Sequence, residues 1–476
     1  MERCNLIVDN SYSSFDLIVL GGGPAGYMGA LRASELGMRV ALVESGKVGG
    51  VCLHEGCIPT KSLLEISALI QKTSGSAANG LHYDPPRIDH SQIMAFGQSV
   101  VNRLHQGIRH LLKTAGVVTF ESLGHLAGLG KVALDGSSPA SVLESKNILL
   151  ATGSSPKVFP GLPFDHERVI DSSDALSFNP SGKKIGILGG GVVGVEFSQI
   201  FTSLGGSVTI LERERSLLPG EDPELVSILS RELDRQGVVL RCGVSVRTIN
   251  RTDKGVFLSL QPENASKEDP PEEVFFEYLL VAIGRTPNTA SLNLESAGVT
   301  LSPDGSVQVD ASGWTGVEGL YAAGDLIGGA MLAHAASHEA IVCVEKMAGL
   351  DPVPIDPFTV PRVVYTHPEL VSVGMTLDQA QKKGIPAIQK KFPMMANGRS
   401  LIHGDRRGIV KVVVDEQSGA LLGFGGVGPG LSEILPVATL AIGLPDGANR
   451  LSHSIFPHPT VAETIWDALR TRSLST

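Results

Sequence analysis

The chain has 476 residues with 39 basic and 49 acidic side chains, a formal charge of −10, and 42 % apolar residues. That length exceeds what one hydrophobic core usually fills, so two to four domains are expected. The acidic balance, with no visible basic run, argues against a nucleic-acid or anionic-membrane surface, and no apolar run reaches the ~18 residues that a membrane span needs. Fifty-six glycines, with aromatics at only 5 %, suit an α/β chain with many tight strand-to-helix turns. Met1 to Ser14 is largely polar and lacks the apolar centre of a signal peptide, so a cytoplasmic protein is expected. Cysteines are thiols in that compartment, and a disulfide there is catalytic more often than structural.

Phe15 to Leu20 reads as a buried strand running into Gly21-Gly22-Gly23-Pro24-Ala25-Gly26, after which Ala30, Leu31 and Ala33 open a helix. The spacing of Gly21, Gly23 and Gly26 permits a tight turn, close approach of backbone to a pyrophosphate and close packing of helix on strand, with the anion held at the helix N-terminus. The next strand, Val40 to Val43, ends in Glu44, where an acid can accept hydrogen bonds from a ribose diol.

Gly49 to Lys61 carries Cys52 and Cys57 directly before a helix-like run of Leu63, Leu64, Ile66, Leu69 and Ile70, and Pro59 suits the first turn of that helix. Cys57 then sits at a helix N-terminus, where free N–H groups and the helix dipole favour a thiolate. Five helical positions would separate the two Cα atoms by about 8–9 Å, too far for a disulfide, so the segment must bend, with Gly56 as the residue that permits it. A redox pair and a chance proximity both remain open from these residues. No metal site is expected, because Cys4, Cys242 and Cys343 are scattered.

Ile93, Phe96, Val100, Leu104, Ile108 and Leu111 fit an amphipathic helix. Asn147 to Leu150 is a strand ending in Ala151-Thr152-Gly153-Ser154, which suits either close approach to a ligand or an ordinary strand end. A second fingerprint follows: the strand Lys184 to Leu188, then Gly189, Gly191 and Gly194 at the same spacing, a helix from Val195-Glu196-Phe197, and the strand Ser207 to Leu211 ending in Glu212. An acid there prefers a free 2′-hydroxyl, so Glu212 favours NAD over NADP, and Gly284 and Arg285 after the strand Tyr278 to Ile283 are assigned to the same site. Gln261 to Glu273 reads as a surface hairpin loop. Leu320 to Ala323 leads into Gly324-Asp325, an acid able either to hold a ribityl or ribose hydroxyl or to cap the helix beyond Met331-Leu332-Ala333-His334. From Pro357 onward, strands over Gly408–Val414 and Leu421–Val427 and a helix over Ser432–Ile442 indicate an α+β domain. It ends in His458 and Glu463, spaced so that the carboxylate can orient the ring as a base.

Two dinucleotide sites, a thiol pair and a His-Glu pair together imply electron transfer between a nicotinamide, a flavin and a disulfide, with FAD as the bridge. The chain resembles the flavoprotein disulfide reductase family, above all its members that oxidise dihydrolipoyl groups with NAD. The resemblance rests on Gly50-Val51-Cys52 through Cys57-Ile58-Pro59-Thr60-Lys61, Ala151 to Ser154, Gly324-Asp325 with Met331 to His334, Tyr365-Thr366-His367-Pro368-Glu369, and His458-Pro459-Thr460 with Glu463. It implies two Rossmann-like domains and a C-terminal α+β dimerisation domain: an FAD domain over 1–157, an NAD domain over 158–286, a second FAD or central part over 287–356, and an interface domain over 357–476. It further implies a homodimer in which His458 and Glu463 serve the partner's cysteines, Cys52 exchanging with substrate, Cys57 facing the flavin, and Lys61 paired with Glu196. The implied partner is a lipoyl-bearing carrier of a 2-oxoacid dehydrogenase complex or a glycine cleavage system. A glutathione-type reductase and a non-catalytic sensor are the alternatives. Val51 and His54 stand where the family often has Thr and Asn, and Phe456 and Pro457 replace its usual His-Ala.

Overall fold

The computed structural model describes residues 14–75, 80–82, 84–135, 141–264 and 270–471. The N-terminal stretch read for targeting lies outside them, except for Ser14, as does the middle of the 261–273 loop. The chain divides into two compact units, one of residues 1–59, 95–156 and 285–355, the other of 60–94, 157–284 and 356–476.

The first unit is built on a seven-stranded sheet. β1 (Ser14–Leu20) lies parallel between β2 (Val40–Glu44) and the strand Ser141–Leu150, with Leu20 opposite both Val43 and Leu150. Val118–Glu121 extends the sheet beyond β2, and Leu320–Ala322 joins parallel to Ser141–Leu150. Leu17, Ile18 and Val19 of β1 are fully buried, because a parallel strand covered on both faces has no polar side to offer water. α1 (Pro24–Glu35) follows β1 directly. Then come the five-residue α2 (Gly50–His54), the 19-residue α3 (Cys57–Gly75), which from residue 60 belongs to the second unit, and the 25-residue α4 (His90–Thr114), which belongs to the first from residue 95.

The second unit repeats the motif in a five-stranded parallel sheet, ordered Val239–Cys242, Ser207–Glu212, Lys184–Leu188, Tyr278–Val281, Val169–Ile170, with the helix Val192–Ser203 after Lys184–Leu188. Gly255–Pro262 and Glu272–Phe276 pair antiparallel, so the 261–273 region does connect a hairpin. Its C-terminal part is a five-stranded antiparallel sheet in which Glu369–Gly374 pairs with Leu421–Gly428, and that strand with Ile409–Asp415. The helix Leu431–Ile442 joins Val371, Val373, Val410, Val412 and Phe424 in one core.

α4 differs from the expectation in which face it buries. Phe96, Leu104 and Leu111 are 49, 43 and 52 % exposed, and the buried side chains are Val101 and Leu112. The amphipathic spacing is real, but in a single chain part of that stripe faces solvent.

Candidate active site

The first glycine turn is shaped by contacts that leave no room for side chains. A Cβ on Gly26 would fall 1.8 Å from the Gly21 carbonyl oxygen, so α1 packs on the turn only because position 26 is bare. Glu44 Oε2 accepts the Gly22 N–H at 2.6 Å and Oε1 the Gly46 N–H at 2.7 Å, which holds the carboxylate at the end of β2. α1 has no side-chain N-cap and no acid in its first turn. Its leading N–H groups and positive dipole end therefore suit a diphosphate. In the second unit a Cβ on Gly194 would fall 2.0 Å from the Gly189 oxygen, Gly190 N–H donates to Glu212 Oε2 at 2.6 Å, and the helix Val192–Ser203 is likewise uncapped and acid-free at its start. Both cradles fit a dinucleotide by the same chemistry.

Cys52 lies in α2 and Cys57 is the first residue of α3, with the bend at Glu55-Gly56. A Cβ on Gly56 would stand 2.9 Å from the Val51 carbonyl oxygen, so the bend needs glycine. α3 has no acid in its first turn to oppose a thiolate at Cys57. Gly50, at φ 58°, brings this segment against the first turn: its Cβ would lie 2.6 Å from the Gly23 Cα. Tyr27, which sequence reasoning passed over, has its hydroxyl pKa raised by burial and then by the negative charge of Cys52. The other described cysteines differ in kind. Burial, then the charge of Glu339, pushes Cys343 up to about 12, and burial, then Glu212, raises Cys242. Neither suits thiolate chemistry.

The turn after Leu150 is tied by Asn288. Thr152 Oγ1 donates to the Asn288 carbonyl at 2.9 Å, Asn288 Nδ2 to the Thr152 carbonyl at 3.0 Å, and Asn288 N–H to the Gly153 carbonyl at 2.9 Å. Ser154 Oγ donates to Asp325 Oδ2 at 2.5 Å and accepts from Arg285 Nε at 2.6 Å, while Arg285 Nη2 donates to the Ser154 carbonyl at 2.6 Å. Arg285, read from sequence as part of the NAD site, is thus engaged by Ser154 and stands 3.7 Å from Asp325. The cause is the antiparallel pairing of Ser154–Pro156 with Arg285–Pro287. Gly284 stays with the second unit, its carbonyl accepting the Lys157 N–H at 3.0 Å. Asp325 does not cap the helix Ala333–Met347, whose N-cap Leu332 makes no side-chain bond. It lies in its own short turn, Gly324–Ile327. Met331 is held at φ 49°, a left-handed conformation that costs a non-glycine residue energy, immediately before Leu332, Ala333 and His334. Half-buried Glu339 accepts the Gly324 N–H at 2.8 Å, and burial, with Asp325 nearby, raises its pKa.

Lys61 Nζ reaches both oxygens of Glu196, at 3.1 and 2.8 Å, and lies 4.8 Å from the Tyr365 ring centre. Glu196 also accepts the Tyr365 N–H at 2.9 Å and is 3 % exposed, so the ion pair with Lys61 that the resemblance implies is formed on a carboxylate held inside the protein. His458 Nδ1 lies 2.9 Å from Glu463 Oε1, and Glu463 Oε2 accepts the Thr460 N–H at 2.8 Å. A carboxylate oxygen accepts, so Nδ1 carries the hydrogen and Nε2 is left as a base. Burial raises the Glu463 pKa, but the Thr460 N–H and the His458 ring outweigh it and hold it below the ordinary value. The His458 side chain is 80 % exposed. Among the described residues, ligand atoms close enough for a metal converge only at His166, Asp171 and Asp174, where Asp171 and Asp174 form the capping box of a short helix.

Residues 15–340 match the family described as pyridine nucleotide-disulphide oxidoreductase, and residues 360–469 match the dimerisation domain of the same family. The chain is 35 % identical over 466 residues to a dihydrolipoyl dehydrogenase of Bacillus subtilis, covering 96 % of this chain and 97 % of the relative. It is 37 % identical over 460 residues to dihydrolipoyl dehydrogenase 3 of Pseudomonas putida, with coverages of 96 and 97 %. Among solved structures it resembles LpdA of Mycobacterium tuberculosis, with a TM-score of 0.88 at 27 % identity over 95 % of this chain and 98 % of that one. It also resembles the Cu(II) complex of the HOCl-induced flavoprotein disulfide reductase RclA of Escherichia coli, with a TM-score of 0.83 at 27 % identity over 96 and 99 %.

Proposed function

The chain belongs to the pyridine nucleotide-disulphide oxidoreductase family, and from that premise we propose that it oxidises dihydrolipoyl groups on a carrier protein and reduces NAD. It is an FAD- and NAD-dependent disulfide oxidoreductase. The observation that carries the proposal is the seating of the Cys52–Cys57 segment against the first glycine turn, with Gly50 on Gly23. Gly21, Gly23, Gly26 and Glu44, with Thr152 to Ser154, Asp325 and the start of the helix at Ala333, would hold FAD. Gly189, Gly191, Gly194 and Glu212 would hold NAD. Bound at the first glycine turn, FAD would supply two-electron exchange between a reduced dithiol and a nicotinamide.

The chain's own residues handle the thiol chemistry. The substrate dithiol loses a proton to His458 Nε2, whose Nδ1–H is held by Glu463. The resulting thiolate attacks Cys52 Sγ, the Cys52–Cys57 bond breaks, and Cys57 leaves as a thiolate at the N-terminus of α3. The second substrate thiol attacks the first substrate sulfur of the mixed disulfide and its proton passes to the leaving Cys52 sulfur, so the bond to Cys52 breaks, Cys52 is left as a thiol and the substrate disulfide closes. Because His458 stands exposed in the dimerisation domain, it would serve the second copy of a homodimer. The partly exposed apolar stripe of α4, with Phe96 and Leu104, is consistent with such pairing. Glu212, fixed by the Gly190 and Glu214 N–H groups at 2.6 and 2.8 Å, favours the free 2′-hydroxyl of NAD. Among the described residues no helix is long and apolar enough to cross a membrane, and thiol chemistry of this kind suits the cytoplasm.

Steady-state rates with dihydrolipoamide and with glutathione, each against NAD and NADP, test the reading. Dihydrolipoamide with NAD should exceed the other pairs by at least about 100-fold in kcat/KM. Preference for glutathione and NADP would replace it with a glutathione-type reductase.

A further inference from the structure

α2 is five residues long and its N-cap, Gly49, makes no side-chain bond. A helix of that length does not hold itself together in water, yet it carries Cys52. Cys57, by contrast, rides on the 19-residue α3. Of the two sulfurs, Cys52 is the one whose position needs outside support.

Gly49 and Gly50 fix the start of α2 on the first glycine turn, and its end is held by a pair of histidines. His54, the last residue of α2, turns Nε2 back to the Val48 carbonyl at 3.0 Å, and His105 of α4 places Nδ1 on the same oxygen, also at 3.0 Å. The rings meet edge to face with centroids 5.1 Å apart and planes at 69°. A carbonyl only accepts, so both contacting nitrogens carry hydrogen. Val48 precedes the helix and His54 ends it, so the His54 bond closes α2 end to start. The His105 bond fixes that shared oxygen to a 25-residue helix.

We propose that His54 and His105 are positioning residues for the redox dithiol, stapling α2 so that Cys52 stays presented to the incoming substrate thiolate. Neither ring takes part in the chemistry. Val51, which precedes Cys52 in α2, is 41 % exposed. The inference rests on the dithiol-oxidising reading above.

The test uses the full-length, FAD-loaded protein and the variants His105→Ala, His105→Asn, His54→Ala and His54→Gln. An asparagine amide can place an N–H near the Nδ1 position and a glutamine amide near Nε2. Dihydrolipoamide-driven NAD reduction should fall about ten- to a hundred-fold in kcat for the alanine variants, as misplacement of a reacting group predicts. NADH-driven ferricyanide reduction, which bypasses the cysteines, should stay within about two-fold. Asparagine at 105 and glutamine at 54 should restore most of the dithiol rate. Full dithiol turnover in the alanine variants, a parallel loss of both activities, or failure of the amide variants to rescue would each overturn the staple. If the unsubstituted protein reduces ferricyanide but does not oxidise dihydrolipoamide, the substrate reading fails instead. The staple is then judged by the rate at which iodoacetamide alkylates Cys52 in the NADH-reduced protein: faster in the alanine variants supports it, and unchanged refutes it.

Discussion

The two glycine cradles are nearly superposable in their chemistry and differ in what comes after. In each, the first glycine sits at positive φ, 100° at Gly21 and 110° at Gly189, and a Cβ there would meet a neighbouring strand-end carbonyl oxygen, of Ala151 or Ala282, at 2.3 Å. In each, the acid ending the second strand accepts the N–H of the middle glycine at 2.6 Å. Even the return of the chain is alike, with Gly49 N–H on the Gly22 carbonyl at 2.8 Å and Leu218 N–H on the Gly190 carbonyl at 2.9 Å. From there the first cradle leads into Gly50 and the cysteine helices, and the second into Leu217 and Leu218, both buried in the core. One glycine cradle is followed by a cysteine pair and the other is not. On the proposed function, binding is the shared property and the chemistry lies in the segment after the second strand.

Five substitutions would break or sharpen that contrast. Cys52→Ser should lower dihydrolipoamide turnover by at least about 10³-fold and leave flavin content and NADH-driven ferricyanide reduction intact. Turnover surviving this change would detach the reaction from the first cradle. Next in size are the matched changes Gly194→Ala and Gly26→Ala, which set a methyl against carbonyl oxygens at 2.0 and 1.8 Å. The first should weaken NADH binding about ten- to a hundred-fold with flavin retained, and the second should weaken flavin binding instead. Flavin absorbance and NADH titration read both, and a loss of both cofactors in either variant would mean that the cradles are not independent.

Glu463→Gln leaves both cradles untouched and should reduce dithiol turnover about ten- to a hundred-fold, because His458 loses the charge that orients it. Glu463 is held below the ordinary glutamate range, so its contribution to stability is complete above that range and vanishes as the pH falls through the lowered value. Thermal melts of the variant and the native protein should therefore converge in acid. The smallest effect is expected at Glu339, which accompanies the first cradle through Gly324. Its pKa is raised by burial and then by Asp325, so the stability it contributes is present below the ordinary glutamate pKa and is lost as the pH rises through the raised one. Glu339→Gln, which resembles the protonated form at every pH, should melt with the native protein near pH 4 and a few degrees above it near pH 8.

Both cradles and the cysteine segment were legible in the amino-acid sequence because their signals are local. Glycines two and five apart, an acid at the end of the next strand, and a helix starting at Cys57 each concern a few consecutive residues. The hydrogen-bonded pairing of His458 with Glu463, five residues away, is local in the same sense. What escaped depends on distant segments. Arg285 follows the strand Tyr278–Val281 of the second sheet and was read with it, yet its guanidinium is committed to Ser154, 131 residues earlier. No local pattern announces that Ser154–Pro156 and Arg285–Pro287 pair. The pairing of Lys61 with Glu196, 135 residues apart, was legible only through the family resemblance, and the Tyr365 N–H on the same carboxylate was not legible at all. His105 and Tyr27 carried no signal, one being an ordinary polar position on α4 and the other a single aromatic in the first turn of α1. α4 shows the converse, since its apolar spacing was plain but spacing does not reveal which face the chain itself covers.

The most direct test of the central claim is anaerobic reduction of the FAD-loaded protein by one equivalent of dihydrolipoamide, followed by absorbance, in the native protein and in Cys57→Ser. If the dithiol belongs to the first cradle, the native protein should develop the long-wavelength absorbance of a thiolate lying against the flavin while the flavin stays oxidised, and Cys57→Ser should not. Direct bleaching of the flavin without that band, or an unchanged spectrum, would contradict the account.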